Sequence, residues 1–275
     1  MKRVFVLCVV FSLLVLSLRA QELEPTVLIA PQLVVGCEGP SGEPPCWHTV
    51  IHIEPVSLGH LGYVYGWFTN EGGWLSLMKT PYANPAGAGP ADTVYGGLSD
   101  FGGTRTRLDQ IGPAMTGWIQ FEFYGATPLV SVQYRRVDGN GDIIASIAVT
   151  VEEPAREWLI PARTSDREDL GLALVNTGES PLEISLELIR ADLDNGGMIT
   201  SYTSIVLAPG HKEDFFLKEI FSELPDSNGQ GGRDNSGFVR VFAESPFGLT
   251  AIQGVYSPSV PGGFLMSGVT PRRVP

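Results

Sequence analysis

In the segment Leu182-Glu183-Ile184-Ser185-Leu186-Glu187-Leu188, every second residue is apolar and those between are polar. A period of two belongs to a β-strand with one face in a core and the other in water, and it suits an antiparallel sheet. Leu186 is therefore expected to point inward and Glu187 to face solvent. Looser versions of the pattern predict strands over Trp47–Ile53, Ile119–Phe123, Val130–Tyr134, Ile143–Val151, Leu170–Val175, Ile199–Leu207, Val239–Ala243 and Leu249–Tyr256. Turn-forming clusters separate them: Asp138-Gly139-Asn140-Gly141, Asn176-Thr177-Gly178, Asp194-Asn195-Gly196 and Pro209-Gly210. Their spacing is that of a sandwich. Helical spacing occurs over Asp214–Phe221, where Phe216, Leu217, Ile220 and Phe221 recur before Pro225, and it predicts two turns at most. Residues 81–103 and Asp226–Ser236, rich in glycine and turn formers, are expected as long loops.

The pattern also repeats on a larger scale. Gly117-Trp118-Ile119-Gln120-Phe121 returns 120 residues later as Gly237-Phe238-Val239-Arg240-Val241. Each copy is followed by a hydroxyl residue and proline, Thr127-Pro128 and Ser245-Pro246. Val27-Leu28-Ile29-Ala30-Pro31 is echoed by Trp158-Leu159-Ile160-Pro161. A period this long implies two copies of a whole domain, not a solenoid of short units. The expected organisation is all-β: a first sandwich over residues 21–151, a linker over 152–156 and a second sandwich over 157–275. Glu152-Glu153-Pro154-Ala155-Arg156 is too short for free tumbling, which predicts a fixed or narrowly hinged pair.

Several segments of the second half carry a family likeness. They are Leu159-Ile160-Pro161, Gly171-Leu172-Ala173-Leu174-Val175-Asn176-Thr177, Leu207-Ala208-Pro209-Gly210-His211, Phe216-Leu217-Lys218-Glu219-Ile220-Phe221 and Gly237-Phe238-Val239-Arg240-Val241. In this order they resemble the uncharacterised immunoglobulin-like repeats found in tandem in secreted bacterial proteins. The resemblance covers residues 156–270. In the first half only residues 116–134 match clearly, and the Cys37–Cys46 loop and residues 54–110 depart from the pattern. It implies a fold and an extracytoplasmic address, and no activity.

The N-terminus points to the same address. Lys2 and Arg3, an apolar run from Val4 to Leu16, and Ala20 before Gln21 have the layout of a cleaved export signal over residues 1–20. The run is short for a membrane span. The net charge of −12 becomes −15 once Lys2, Arg3 and Arg19 leave with the signal. So acidic a surface argues against nucleic acid and against anionic membranes as partners. Cys8 leaves too, and the two remaining cysteines, Cys37 and Cys46, are expected to form a disulfide around a stiff proline-rich loop. The chain-entropy estimate for so short a loop is about 2.5–3 kcal/mol. Their spacing matches no zinc knuckle.

Candidate chemistry is sparse. Tyr63-Val64-Tyr65-Gly66-Trp67-Phe68, continued by Trp74, would put Tyr63, Tyr65 and Trp67 on one face of a strand. Such a row is either core or a platform that stacks a sugar ring or grips a protein. Asp138, Asn140 and Asp142 alternate as in calcium loops, but the twelfth position is Val149, and Gly139-Asn140-Gly141 between two strands reads as a hairpin turn. His48 and His52 on one strand would stand about 13 Å apart, too far to share an ion, and with His60 they read as solvated. The nucleophile elbow, the phosphate-cradling loop and His-Glu-x-x-His are all missing from the sequence. Carboxylate pairs such as Glu152/Glu153 occur, although an acidic chain produces them by chance. No cofactor or metal is expected. The expectation is a secreted, non-catalytic structural or interaction module of adhesion-like type, with an extracellular protein or carbohydrate as partner. A carbohydrate-binding module using Tyr63, Tyr65, Trp67 and Trp74 is the first alternative and a hydrolase the second.

Overall fold

The computed structural model describes residues 24–39, 42–54, 61–70, 73–83, 91–93, 115–125, 127–192, 197–221, 224, 235–256 and 264–274; through residues 52–115 it describes backbone pairing alone. The expected export signal, most of the two expected long loops and the expected Asp194-Asn195-Gly196 turn fall outside the described residues. Nearly all of the rest is β-structure.

The first half comprises β1 (Thr26–Cys37), β2 (Cys46–Glu54), β3 (Leu61–Asn70), β4 (Gly73–Ala83), β5 (Ala91–Thr93), β6 (Met115–Tyr124), β7 (Leu129–Val137) and β8 (Ile143–Thr150). All the pairings are antiparallel. One layer has the order β4-β3-β6-β1; the other runs β2-β7-β8, with β5 beside β2. The last residues of β1 join them by pairing Cys37 with Cys46. Alternate residues of β6 (Ile119, Phe121, Phe123) meet Val132, Tyr134 and Ile147 in one core.

The second half comprises β9 (Ala155–Thr164), β10 (Glu168–Val175), β11 (Leu182–Asp192), β12 (Gly197–Leu207), β13 (Lys212–Phe216), helix α1 (Leu217–Ile220), β14 (Asn235–Tyr256), β15 (Phe264–Val269) and β16 (Arg272–Arg273). Here β12-β11-β14-β9 form one layer and β13-β10-β14-β15 the other. Val239–Ala243 and Leu249–Tyr256, expected as two strands, are the two ends of β14, which passes from one layer into the other. The register breaks between Phe242 and Phe247, at Ser245-Pro246, where proline lacks the ladder donor. Leu182, Ile184, Leu186 and Leu188 are all buried, as the alternation predicts.

Two expectations change. The helical segment is shorter than its spacing suggests, because Phe215 and Asp214 are committed to β10 through pairing with Leu172 and Ala173. Only Leu217–Ile220 coils, with the Phe216 amide donating to Glu219 Oε2 at 2.7 Å and the Phe221 amide to the Leu217 carbonyl at 2.8 Å. Glu187, expected to face open water, is on the outer face but only 14% exposed. There it accepts from the Tyr202 hydroxyl at 2.8 Å and pairs with Arg240 at 3.3 Å.

Cys37 and Cys46 are disulfide-bonded. Beside them Glu38 accepts from Nε and Nη2 of Arg136, each at 2.7 Å, and from the Trp47 indole at 2.8 Å. Arg136 holds the Glu38 carboxyl below the usual carboxylate range. We expect no titratable thiol in oxidatively prepared protein lacking residues 1–20. Reduction should lower the unfolding temperature of the first half while hydrogen exchange in β9–β14 stays unchanged, because the loop is local. Two free thiols in the native protein would contradict this.

Candidate functional site

The two halves meet in a buried seam. Ile29 from β1, Trp118 from β6 and Val175 from β10 form a small core of their own, exposed by only 2%, 3% and 0%. The residue of β14 facing them is Gly248. A Cβ there would lie 2.5 Å from Ile29 Cγ2 and 2.7 Å from Val175 Cγ1, so the close approach requires the missing side chain.

The receptor for Trp118 is built by turn chemistry. Asn176 is 1% exposed. Its Nδ2 donates to the Ser180 and Leu207 carbonyls at 2.8 and 3.0 Å, and its Oδ1 accepts the Gly178 amide at 2.9 Å. Its backbone carbonyl accepts the amide of Gly210 at 2.8 Å. Gly210 has φ 71°, a conformation that glycine adopts without a Cβ clash. Two turns legible in the sequence are thereby stapled together, and the Gly210 carbonyl is left aimed at the first half. The Trp118 indole donates to it at 2.9 Å.

Beside this wedge lies a polar clamp. The side chain of Lys212 is 2% exposed, and its Nζ donates to Gln32 Oε1 across the seam and to Asp214 Oδ1, both at 2.7 Å. Burial pulls the ammonium pKa below its ordinary 10.5, with Asp214 opposing. A third tie is the Ile29 amide, which donates to the Glu152 carbonyl at 2.9 Å. Glu152 and Glu153 themselves pair with Arg273 at 3.5 and 3.0 Å, so this carboxylate pair anchors the connection between the halves.

Next to the clamp is a cavity of about 340 Å³, with Gln32 on one side and Leu172, Phe216, Thr250 and Met266 on the other. Asp214 and Glu219 also line it. Nearly all of its wall belongs to the second half, and Gln32 is the first half's contribution. An apolar pocket carrying a few convergent polar groups can take a small amphipathic ligand.

The residues singled out from the sequence are scattered. Tyr63, Tyr65 and Trp67 lie on β3 in register with Glu122, Gln120 and Trp118, whereas Val64 and Gly66 are in register with the core residues Phe121 and Ile119. The side chains of Tyr63, Tyr65, Trp67 and Trp74 lie outside the described residues. Asp138 Oδ1 accepts the amides of Asn140 and Asp142 at 2.8 and 3.0 Å, which is turn geometry in the β7–β8 hairpin. These bonds hold the Asp138 carboxyl below its usual range. His48 departs from expectation. It is half-buried on β2, and its Nε2 is enclosed with no protein partner. Burial first and Arg135 second lower its pKa. The His52 side chain and His60 lie outside the described residues. Among the described residues, no three His, Cys, Asp or Glu side chains are arranged to hold a metal ion. Among them also, no helix is long and apolar enough to cross a membrane. No protein-family model matches the chain, and no curated protein is significantly similar to it.

Proposed function

We propose that this chain is a non-catalytic extracytoplasmic module of structural or adhesion-like type, made of two tandem immunoglobulin-like sandwiches docked as one rigid unit. The observation that carries the reading is the Trp118 seam. Three buried apolar side chains, an indole–carbonyl bond and a buried Lys212–Gln32 bond fix one sandwich against the other. A fixed pair of sandwiches presents a surface of constant shape, which is what a scaffold or adhesive surface needs. The tandem reading is supported by strand order. β4-β3-β6-β1 in one half has its counterpart in β12-β11-β14-β9 in the other, and β5 sits beside β2 as β13 sits beside β10. The disulfide favours an oxidising compartment.

A second reading, sugar binding on β3, is supported by the register of Tyr63 and Tyr65 with the polar pair Glu122 and Gln120. One set of measurements separates the readings. The protein should fractionate outside the cytoplasm and turn over no peptide, ester or glycoside substrate. Glycan binding abolished by Tyr65→Ala would establish the sugar-binding reading. Turnover abolished by a single carboxylate substitution would overturn the non-catalytic one.

A further inference from the structure

Strand β12 is the exposed end of its layer, and among the described residues it pairs only with β11. A free edge offers unpaired amides and carbonyls to any passing strand, and natural sheets guard against this with lysine, proline, charge or cover. Other edges among the described residues are guarded. β4, which holds the corresponding end position in the first half, carries Lys79 and Pro81. β13 carries Lys212, Glu213 and Asp214, and β16 is Arg272-Arg273. β8 lies against β15, so close that a Cβ on Gly268 would sit 2.6 Å from the Ala148 carbonyl oxygen. β12 has no such guard. Its eleven residues, Gly-Met-Ile-Thr-Ser-Tyr-Thr-Ser-Ile-Val-Leu, contain neither proline nor charge, in a chain of net charge −12. Met198, Tyr202 and Val206 are 64%, 69% and 67% exposed along its outer face.

The order of these residues identifies the occupant. From Met198 to Val206 the strand is a chemical palindrome centred on Tyr202. Read outward from that centre, Ser201 answers Thr203, Thr200 answers Ser204, Ile199 answers Ile205, and Met198 answers Val206. An isologous antiparallel pairing about Tyr202 sets each of these residues opposite its counterpart, because residue i of one copy then meets residue j of the other while j meets i, so like meets like at every position. A partner of different sequence would make no use of that symmetry. We infer that β12 is a self-association edge: a second copy of this chain adds its own β12 antiparallel, about a two-fold axis through Tyr202. Hydroxyl residues then face hydroxyl residues and apolar residues face apolar ones across the new ladder, and no like charges are opposed. The register is unique. A slip of one residue would oppose outer-face to core-face side chains, and a slip of two would set Tyr202 opposite Ser204. The Tyr202 hydroxyl is already drawn back across the sheet to Glu187 Oε1 at 2.8 Å, away from the edge that the partner strand approaches.

This inference rests on the reading of the chain as an interaction module and names its partner. Sedimentation velocity on the intact purified protein tests it. The wild-type protein should dimerise. Tyr202→Lys, which replaces the tyrosine pair at the axis with two side chains of like charge, should weaken dimerisation roughly tenfold. Its thermal unfolding should be little changed. Cysteine cross-linking then tests the register. Tyr202→Cys should form a disulfide dimer with itself, whereas Ser204→Cys should cross-link with Thr200→Cys and not with itself. The inference is overturned if the protein stays monomeric at hundreds of micromolar. It is also overturned if Tyr202→Lys dimerises as tightly as wild type, or if Ser204→Cys self-links as readily as Tyr202→Cys. None of these results bears on fractionation or turnover, so failure here leaves the broader reading standing.

Discussion

Leu186→Asp should unfold the second half of the protein. Leu186 is 0% exposed at the middle of β11, among a core that includes Ile184, Leu188, Val239 and Val241. A carboxylate there would have no described cation within its core. It must either carry buried charge or open the sandwich to water. Substitutions of this kind cost more than about 4–5 kcal/mol, which is comparable to the whole stability of a domain of this size. The measurement is hydrogen exchange on the full chain. Amides of β9–β14 should lose protection while those of β6 and β7 keep most of theirs. Glu187→Lys, one residue on, provides the contrast. It breaks the bonds from Tyr202 and Arg240 and sets two cations side by side, at a cost of about 1–2 kcal/mol with the fold intact. Equal tolerance of the two substitutions would mean that the inward and outward faces of β11 are misassigned.

The second large effect lies at the seam. Trp118→Ala should loosen the contact between the halves without unfolding either. It removes a buried indole and its bond to the Gly210 carbonyl, and truncations of that size cost about 3–5 kcal/mol. Here the loss falls on the Ile29–Trp118–Val175 cluster between the two cores, leaving Ile252 and Met266 against the first core and β15 along β8 as the remaining ties. Gly248→Val should have a similar effect from the other side, by forcing Ile29 and Val175 apart. Small-angle scattering should show a longer, more flexible particle, and limited proteolysis should cut near residues 152–156 faster than in the wild type. The clamp responds to pH as well. The Lys212 ammonium is held less firmly in the folded protein than in the unfolded chain. Stability therefore rises with pH between its depressed pKa and the unfolded value near 10.5, and the step should vanish in Lys212→Met. A Trp118→Ala protein as compact and protease-resistant as wild type would show that the seam does not hold the halves together.

Much of the fold was legible because β-structure writes itself locally. A strand with one face in a core must alternate, and Leu182–Leu188 does, so β11 and its inward residues could be read from the sequence alone. Turns advertise themselves by residue type, and Asn176 and Gly210 lie in turns at the positions where Asn-Thr-Gly and Pro-Gly predict them. The cysteine pair followed from counting. The helix was overestimated because period alone cannot separate a strand end from a helix start, and Phe215 was decided by pairing with Leu172. Glu187 and His48 were misread for a related reason. Alternation tells which face a side chain takes, but not what neighbouring strands place over that face.

What the sequence determined by itself is therefore one-dimensional: the period of the strands, the places where the chain turns, the disulfide, the acidity, the duplicated Gly-aromatic motif and the palindrome in β12. Only the tertiary structure decided that two of those turns join to receive Trp118, that Gly248 meets Ile29, that Lys212 reaches Gln32 180 residues away in the chain, and that β12 pairs on one side alone among the described residues. The physical reason is that local pattern reflects the solvent each residue must face, water or core. Which distant segment supplies that environment depends on how whole layers pack, and a single glycine, lysine or tryptophan carries no period from which the pairing could be read.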